Sequence, residues 1–269
     1  MTIGEVSNNR VVPRDAATVI LLRDRPSGLE VFLQRRATGM AFAAGMTVFP
    51  GGATDPRDAS RAVEWLGPSV AWWAQQFHCD EDSARSLVLA AIRETFEECG
   101  VLLAGPTPRA TVTSTARYAD DRIALEEKSL TFGEFLSREG LAVRTDLLMP
   151  WANWITPVGE KRRYDTRFFV ASVPSGQTAD GRTTEASDTM WMSPALALEA
   201  WKDGHSMLLP PTWAQLRELS TYASVSDVLR AERDLNTVMP RILDSPGAIP
   251  LDFPDVEAYV ESGPTPWNM

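Results

Sequence analysis

The chain has 269 residues, 44% of them apolar, with a formal net charge of −10 at pH 7. That length and apolar content support one large domain with a substantial core. The acidic balance argues against broad nucleic-acid binding, which needs a positive surface; an anionic small substrate stays open if a metal ion or local arginine cluster offsets its charge.

The opening MTIGEVSNNRVVPRD is polar and has no apolar region of the kind a secretory signal carries. No apolar run approaches the roughly 20 residues that span a bilayer, so no membrane partner is expected. AATVILLRD (16–24) and LEVFLQRR (29–36), joined by the turn RPSG, read as two paired strands. MTVFPGG (46–52) reads as a short strand stopped by Pro50 and two glycines. RAVEWLG and SVAWWAQQF follow, and Trp65, Trp72, Trp73 and Phe77 suggest short helices packing aromatic side chains. A long helix is expected from about Ser83, as N-cap, to Cys99, with Gly100 as its left-handed terminator. Cys79 and Cys99 lack CxxC spacing and form no framework, so a reduced, cytoplasmic setting fits.

Beyond it, VLLAG resumes extended structure, and a loop runs on to a helix around Phe132–Arg138. LLMPWANWITP and TRFFVASVP read as strands joined by the basic loop VGEKRRYD, and TMWMSP as a further short strand after a turn-rich loop. PALALEAWKDG, PTWAQLRELS and VSDVLRAERDL read as helices, and the Pro-rich tail is expected along the surface. No internal repeat or low-complexity segment interrupts this order.

The unusual feature is AAIRETFEECGVLL (90–103), which puts Glu94, Glu97 and Glu98 on one helix face at i, i+3 and i+4. A charge run is ordinarily a solvated face. Here, however, the acids crowd the last turns before Gly100, where the helix dipole opposes them, and apolar segments flank them on both sides. A hard divalent cation such as Mg²⁺ or Mn²⁺ removes that conflict, because it is held by carboxylate and phosphate oxygens. Arg93 is placed to brace one carboxylate through a two-pronged hydrogen bond.

FPGG…D…RETFEECGV resembles the Nudix box, G-x5-E-x7-R-E-U-x-E-E-x-G-U with U a bulky aliphatic residue. Arg93, Glu94, Glu97, Glu98, Gly100 and Val101 match its second half, and Gly52 its opening glycine. Thr95 stands where the family prefers a large aliphatic residue. Asp58 lies where the first glutamate belongs, and 34 residues separate it from Arg93 where the pattern has seven. An insertion of about 27 residues therefore interrupts the box, as in a Nudix branch similar to the peroxisomal coenzyme A diphosphatases. VFPGGATDPRD, RETFEECGVLL and WITPVGEKRRYDTRFF are the stretches that carry this likeness.

The resemblance implies an α/β/α sandwich with a mixed, curved sheet: one Nudix domain over 1–269, a helical insertion at about 59–85 and a helical C-terminal extension at about 193–269. It implies a metal-dependent hydrolase of the pyrophosphate bond in a nucleoside diphosphate derivative, with Mg²⁺ or Mn²⁺ as cofactor. Glu97 and Glu98 would be the principal metal ligands, Glu94 a ligand or the general base, and the Gly52 carbonyl a further ligand. Arg93 would orient rather than react. Glu185 and Asp188, in the later loop, are candidates for the base, with Glu185 preferred. Lys161, Arg162, Arg163 and Arg167 form the densest basic cluster and, with Arg35 and Arg36, would grip phosphate.

Trp151, Trp154 and Trp191 are either core or an adenine platform. Coenzyme A or acyl-coenzyme A is the leading substrate; ADP-ribose, NADH and nucleotide sugars are alternatives. The extra motif of coenzyme A diphosphatases is matched at Arg36, Ala37, Gly45 and FPGG, but Met40 replaces its second arginine and the spacing to Gly45 is one residue longer. The chain ends in PWNM, unlike a peroxisomal S-K-L address. A non-catalytic nucleotide-binding regulator is the competing class. A metal-free hydrolase is disfavoured because His78 and His205 lie beside no Ser or Cys motif, and HCDED (78–82) lacks zinc spacing. A homodimer is possible, with Trp72 and Trp73 as its candidate contacts.

Overall fold

The computed structural model describes residues 11–39, 43–59, 62–243 and 251–266. Met40 and the final residues Trp267–Met269 lie outside the described residues. Strand β1 (Arg14–Arg25) is the axis of the main sheet. Its alternation sends Ala17, Val19 and Leu21 into one core and Ile20 and Leu22 into another on the opposite face, as the two-residue period of a strand requires. Strand β2 (Gly28–Arg36) folds back antiparallel to the second half of β1, as expected from the RPSG turn. Two short strands, β3 (Thr47–Val48) and β4 (Gly51–Ala53), pair with β2 and with the first half of β1.

The segment after β4 begins with a 3₁₀ turn (Pro56–Ala59), then strand β5 (Trp65–Leu66) and helix α1 (Val70–Phe77). The insertion is thus only partly helical. Trp73 is fully buried and stacks on Phe77, and both rings meet Phe169 of the central sheet. Burial within the protomer therefore removes Trp73 from any dimer contact, and Trp72 packs edge-on against it.

Helix α2 (Glu81–Cys99) starts earlier than the sequence suggests. Asp80, not Ser83, is the N-cap: its carboxylate accepts from the Ser83 amide at 2.8 Å, and a negative charge suits the helix start. The helix stops at Gly100, whose φ of 68° is cheap only for glycine. Thr95, the departure from the aliphatic pattern, is buried with its hydroxyl satisfied by the Ala91 carbonyl at 2.7 Å.

Strand β6 (Ala104–Gly105) follows, and then helix α3 (Ala119–Glu126), in a stretch expected to be loop. Its inward residues are only Leu125 and the charged Arg122, so hydrophobic spacing does not reveal it. Helix α4 (Phe132–Glu139) carries a reciprocal cap between Thr131 and Glu134. Strand β7 (Ala142–Arg144) lies between β5 and β6 in a small separate sheet.

Strands β8 (Met149–Ile155), β9 (Tyr164–Ser172) and β10 (Ala186–Met192) complete the main sheet, in the order β10-β2-β1-β9-β8. β1 and β9 run parallel along nine paired positions, while β8–β9 and β10–β2 are antiparallel, giving the expected mixed sheet. One face carries α1, α2 and α4. The other is covered by α5 (Pro194–Lys202), α6 (Pro210–Leu219) and α7 (Val225–Leu229).

The C-terminal part is not wholly helical, and it does not lie along the surface. Strand β11 (Thr237–Val238) joins the sheet beside β8, and β12 (Arg241–Ile242) pairs with β13 (Leu251–Asp252). Helix α8 (Val256–Ser262) then buries Tyr259, which stacks on Trp201 at 5.0 Å between ring centroids. The Tyr259 hydroxyl donates to the Leu208 carbonyl at 2.7 Å, and the Trp201 indole to the Pro264 carbonyl at 2.9 Å. Aromatic side chains, invisible as a pattern in a Pro-rich tail, pull it inward.

Tyr259→Phe leaves the buried Leu208 carbonyl without this donor. It is expected to lower unfolding free energy by about 1–3 kcal/mol, read from the denaturant midpoint; an unchanged midpoint would show that α8 contributes by area alone.

Candidate active site

The centre of the site is the contact between β4 and the last two turns of α2. Arg93 organises it. Its Nε and Nη2 donate to the two oxygens of Asp58, both at 2.9 Å, a bidentate pair, while Nη1 donates to Glu94 at 2.8 Å and to Glu97 at 3.3 Å. Asp58, in the 3₁₀ turn after β4, is itself buried and also accepts from the Asp55 amide at 2.8 Å. The two-pronged brace expected of Arg93 is thus formed with Asp58, across the insertion.

Glu98 points the other way. One oxygen accepts from the Gly51 amide at 2.9 Å and from the Gln34 side chain; the other is buried with no partner among the described residues. Gln34 is a site residue that motif reading misses. It is 2% exposed at an inward position of the apolar strand β2, and a polar residue at a core register was the available signal. Gly52 lets the Glu94 carboxylate approach: a Cβ there would stand 2.5 Å from a Glu94 oxygen, so a side chain would displace that carboxylate.

Burial pushes Glu94 up to about 7, with Glu97 adding to the rise and Arg93 opposing it. Burial likewise raises Glu97 against the pull of Arg93. Glu98 is raised well above the ordinary carboxylate range by burial first, then by repulsion from Glu94 and Glu185; the Gly51 and Gln34 donors only partly offset this. Burial works against the charge of Arg93 too, but Glu94, Asp58 and Glu97 outweigh it and keep the guanidinium ionised.

Among the described residues, no three His, Cys, Asp or Glu side chains are preassembled as a metal cage, because Glu94 and Glu97 lean on Arg93 and Glu98 on Gln34 and Gly51. The donor set still fits a hard cation. Three carboxylates share one guanidinium, a fourth, Glu98, lies beside them, all the donor atoms are oxygens, and one Glu98 oxygen is buried without a hydrogen bond. A divalent ion would supply the missing positive charge.

Gly51–Ala53, Asp58, Arg93, Glu94 and Glu97 line a cavity of about 800 Å³, whereas Glu98 lies behind its wall. Val48, Phe49, Leu209, Pro210, Trp154 and Phe168 give it an apolar wall, and Arg14, Arg57 and Lys128 contribute cations. Glu185 also lines it; its carboxylate pairs with Arg36 at 3.3 Å, and its carbonyl accepts from the Ala37 amide at 2.9 Å.

The other sequence-nominated arginines are held elsewhere. Arg35 donates to the His205 carbonyl at 2.8 Å. Arg163 is buried, donating to the carbonyls of Val11, Thr156 and Pro157, and Arg167 pairs with Asp165. Lys161 and Arg162 are exposed. None of these lines the cavity, so the expected phosphate grip by 161–167 is corrected: the loop uses its inward arginines to tie backbone, and only Arg36 of the nominated cations faces the cavity. Asp188 is exposed in β10. Trp151 is buried beneath Arg233, and Trp191 packs under Arg23; of the three tryptophans only Trp154 reaches the cavity wall.

The model for the NUDT19 Nudix domain matches residues 78–219. The chain is 28% identical to the acyl-coenzyme A diphosphatase NUDT19 of Gallus gallus over 82% of its own length and 71% of that protein's. It is 26% identical to the same-named protein of Homo sapiens, over 87% and 73%. Among solved structures, a NUDIX hydrolase from Alicyclobacillus acidocaldarius superposes with a TM-score of 0.66 at 27% identity, covering 84% of this chain and 99% of the other.

Replacing Gln34 by Leu removes a donor from Glu98 and is expected to weaken divalent-cation affinity or activity by roughly 10–100-fold; titration of Mn²⁺ binding checks it. Glu94 also makes a pH prediction. It rises from 4.5 to about 7 on folding, so between those values the folded state holds more protons than the unfolded, and stability falls as pH rises. Without metal that loss amounts to about 3 kcal/mol at most for this group. A divalent cation is expected to raise the melting temperature more at pH 8 than at pH 5; equal increments at both would separate cation binding from these carboxylates.

Proposed function

The chain belongs to the Nudix hydrolases, in the family of the NUDT19 Nudix domain, and from that membership we propose that it hydrolyses the pyrophosphate bond of coenzyme A thioesters. The observation that carries the substrate reading is the cavity itself. Carboxylates braced by Arg93 line it, and so does an apolar wall of Phe49, Trp154, Phe168, Leu209 and Pro210, more than a phosphate alone needs. A coenzyme A thioester has the matching composition: a diphosphate between a nucleotide and a long, largely uncharged arm. The relatives' name, acyl-coenzyme A diphosphatase, agrees with this assignment.

Glu97 and Glu98 would hold the divalent ion, Mg²⁺ or Mn²⁺, together with Glu94 and the Gly52 carbonyl. Bound there, the ion supplies neutralisation of phosphate charge and a water of lowered pKa. Arg93 keeps Glu94 and Glu97 in place through its anchor on Asp58. Arg36 is the nominated guanidinium positioned to meet phosphate oxygens on the cavity wall, in exchange for or alongside Glu185. Glu185 takes the proton of the attacking water. The water oxygen bonds to one phosphorus, the bridging oxygen departs with the other phosphate, and two monoesters leave. The free thiols of Cys79 and Cys99 suit the reducing cytoplasm.

Incubation with Mg²⁺ or Mn²⁺ and a panel of coenzyme A, acyl-coenzyme A, ADP-ribose and NADH, read by mass spectrometry, tests the assignment. Cleavage is expected to be fastest for an acyl-coenzyme A, with ¹⁸O from water in one product phosphate. Preference for ADP-ribose or NADH would overturn the substrate reading. Glu185→Gln is expected to lower kcat by roughly 10²–10⁴-fold; a variant as fast as wild type would move the base to Glu94.

A further inference from the structure

Helix α3, which hydrophobic spacing does not disclose, stands between the end of α2 and the segment that leads into β10. Two of its side chains, one turn apart, hold different parts of the site. Arg122 is buried; its Nε donates to the Glu97 carbonyl at 2.8 Å and its Nη1 to Asp180 at 2.6 Å. Glu126 lines the cavity, and its Oε1 accepts from the Thr184 amide at 2.8 Å, the Thr184 hydroxyl at 2.6 Å and the Thr183 hydroxyl at 3.3 Å. The Asp180 amide donates to the Cys99 carbonyl at 2.9 Å, which fixes the same segment to the last residue of α2. Residue 185 follows directly.

An acid at the last position of a helix meets the wrong end of the dipole. Glu126 also sits in a cavity already rich in carboxylates. Three donors from two consecutive threonines are the compensation, and they come from the segment whose next residue is Glu185. We propose that Glu126, seconded by Arg122, is a positioning residue: it clamps residues 180–184 to the end of α2, so that the Glu185 carboxylate is held on the cavity wall it shares with Glu94. Arg122 and Glu126 thereby tie the acid-bearing helix and the Glu185 segment to one rigid element. A segment containing Gly176 and Gly181 has little stiffness of its own, whereas a reacting group must be held closely to act.

The proposal rests on Glu185 acting in the hydrolysis assigned above. What Glu126 contributes is acceptor geometry, not charge, so a glutamine should replace it and an alanine should not. Glu126→Ala is expected to lower kcat by up to about 10²-fold with KM little changed, as a small displacement of a reacting group does. Glu126→Gln is expected to stay within about 3-fold of wild type, since its carbonyl accepts the same bonds. Adding Glu126→Ala to Glu185→Gln should cost nothing further, because the group being positioned has lost its role. Amide exchange across residues 180–185 should accelerate in Glu126→Ala and not in Glu126→Gln.

Equal losses in the glutamine and alanine variants would assign Glu126 to holding cation charge and overturn the proposal. Additive losses with Glu185→Gln, or unchanged exchange in Glu126→Ala, would overturn it as well. If wild type cleaves no coenzyme A derivative, the functional reading falls; the exchange comparison still decides whether the clamp exists.

Discussion

Everything in the catalytic half of this molecule follows from packing the acidic end of α2 against β4. Glu94, Glu97 and Glu98 are removed from water on a helix end that already repels them, and among the described residues Arg93 is the one guanidinium bonded to Glu94 and Glu97. The neighbouring chain is shaped by that conflict. At Gly52 the Glu94 carboxylate comes to where a Cβ would stand. Gln34 and the Gly51 amide supply donors that a sheet strand would otherwise direct elsewhere. Such an arrangement is unfavourable by itself, and a divalent cation bound among these oxygens would relieve it.

The insertion shows how loosely a motif constrains chain length when its contacts are short-range. Thirty-four residues separate Asp58 from Arg93, yet the pair is bidentate. Closing a longer loop costs little, about 0.6 kcal/mol per doubling of length. The inserted segment also brings stabilising contacts of its own. Trp73 and Phe77 enter the core against Phe169, and β5 adds a strand to β7. The shorter Asp58 reaches Arg93 from a 3₁₀ turn that follows β4 directly.

The C-terminal elements determine the cavity rather than the metal end. Tyr259 holds the Leu208 carbonyl, the Thr47 amide donates to the Met207 carbonyl, and the next residues, Leu209 and Pro210, form the apolar wall. Leu251 and Pro240 line the same space. The cavity beside the Nudix-box residues is thus walled by late-sequence elements, where the box itself has no residues.

The sequence alone determined the paired first strands, the acid-bearing helix with its Gly100 stop, and the shared face of Glu94, Glu97 and Glu98. These are local matters: residue spacing on a strand or helix fixes which side chains share a face. It also placed Asp58 where the first acid of the box is expected, counting from Gly52, and the structure pairs that residue with Arg93. Tertiary structure decided the rest. Gln34 meets Glu98 because β2 turns it toward the end of α2, and α3 bridges segments far apart in the chain. Arg163 and Arg167 looked like phosphate ligands because charge density is visible in sequence, whereas direction is not. Their guanidiniums turn to nearby carbonyls and to Asp165, because a buried arginine must satisfy its donors locally.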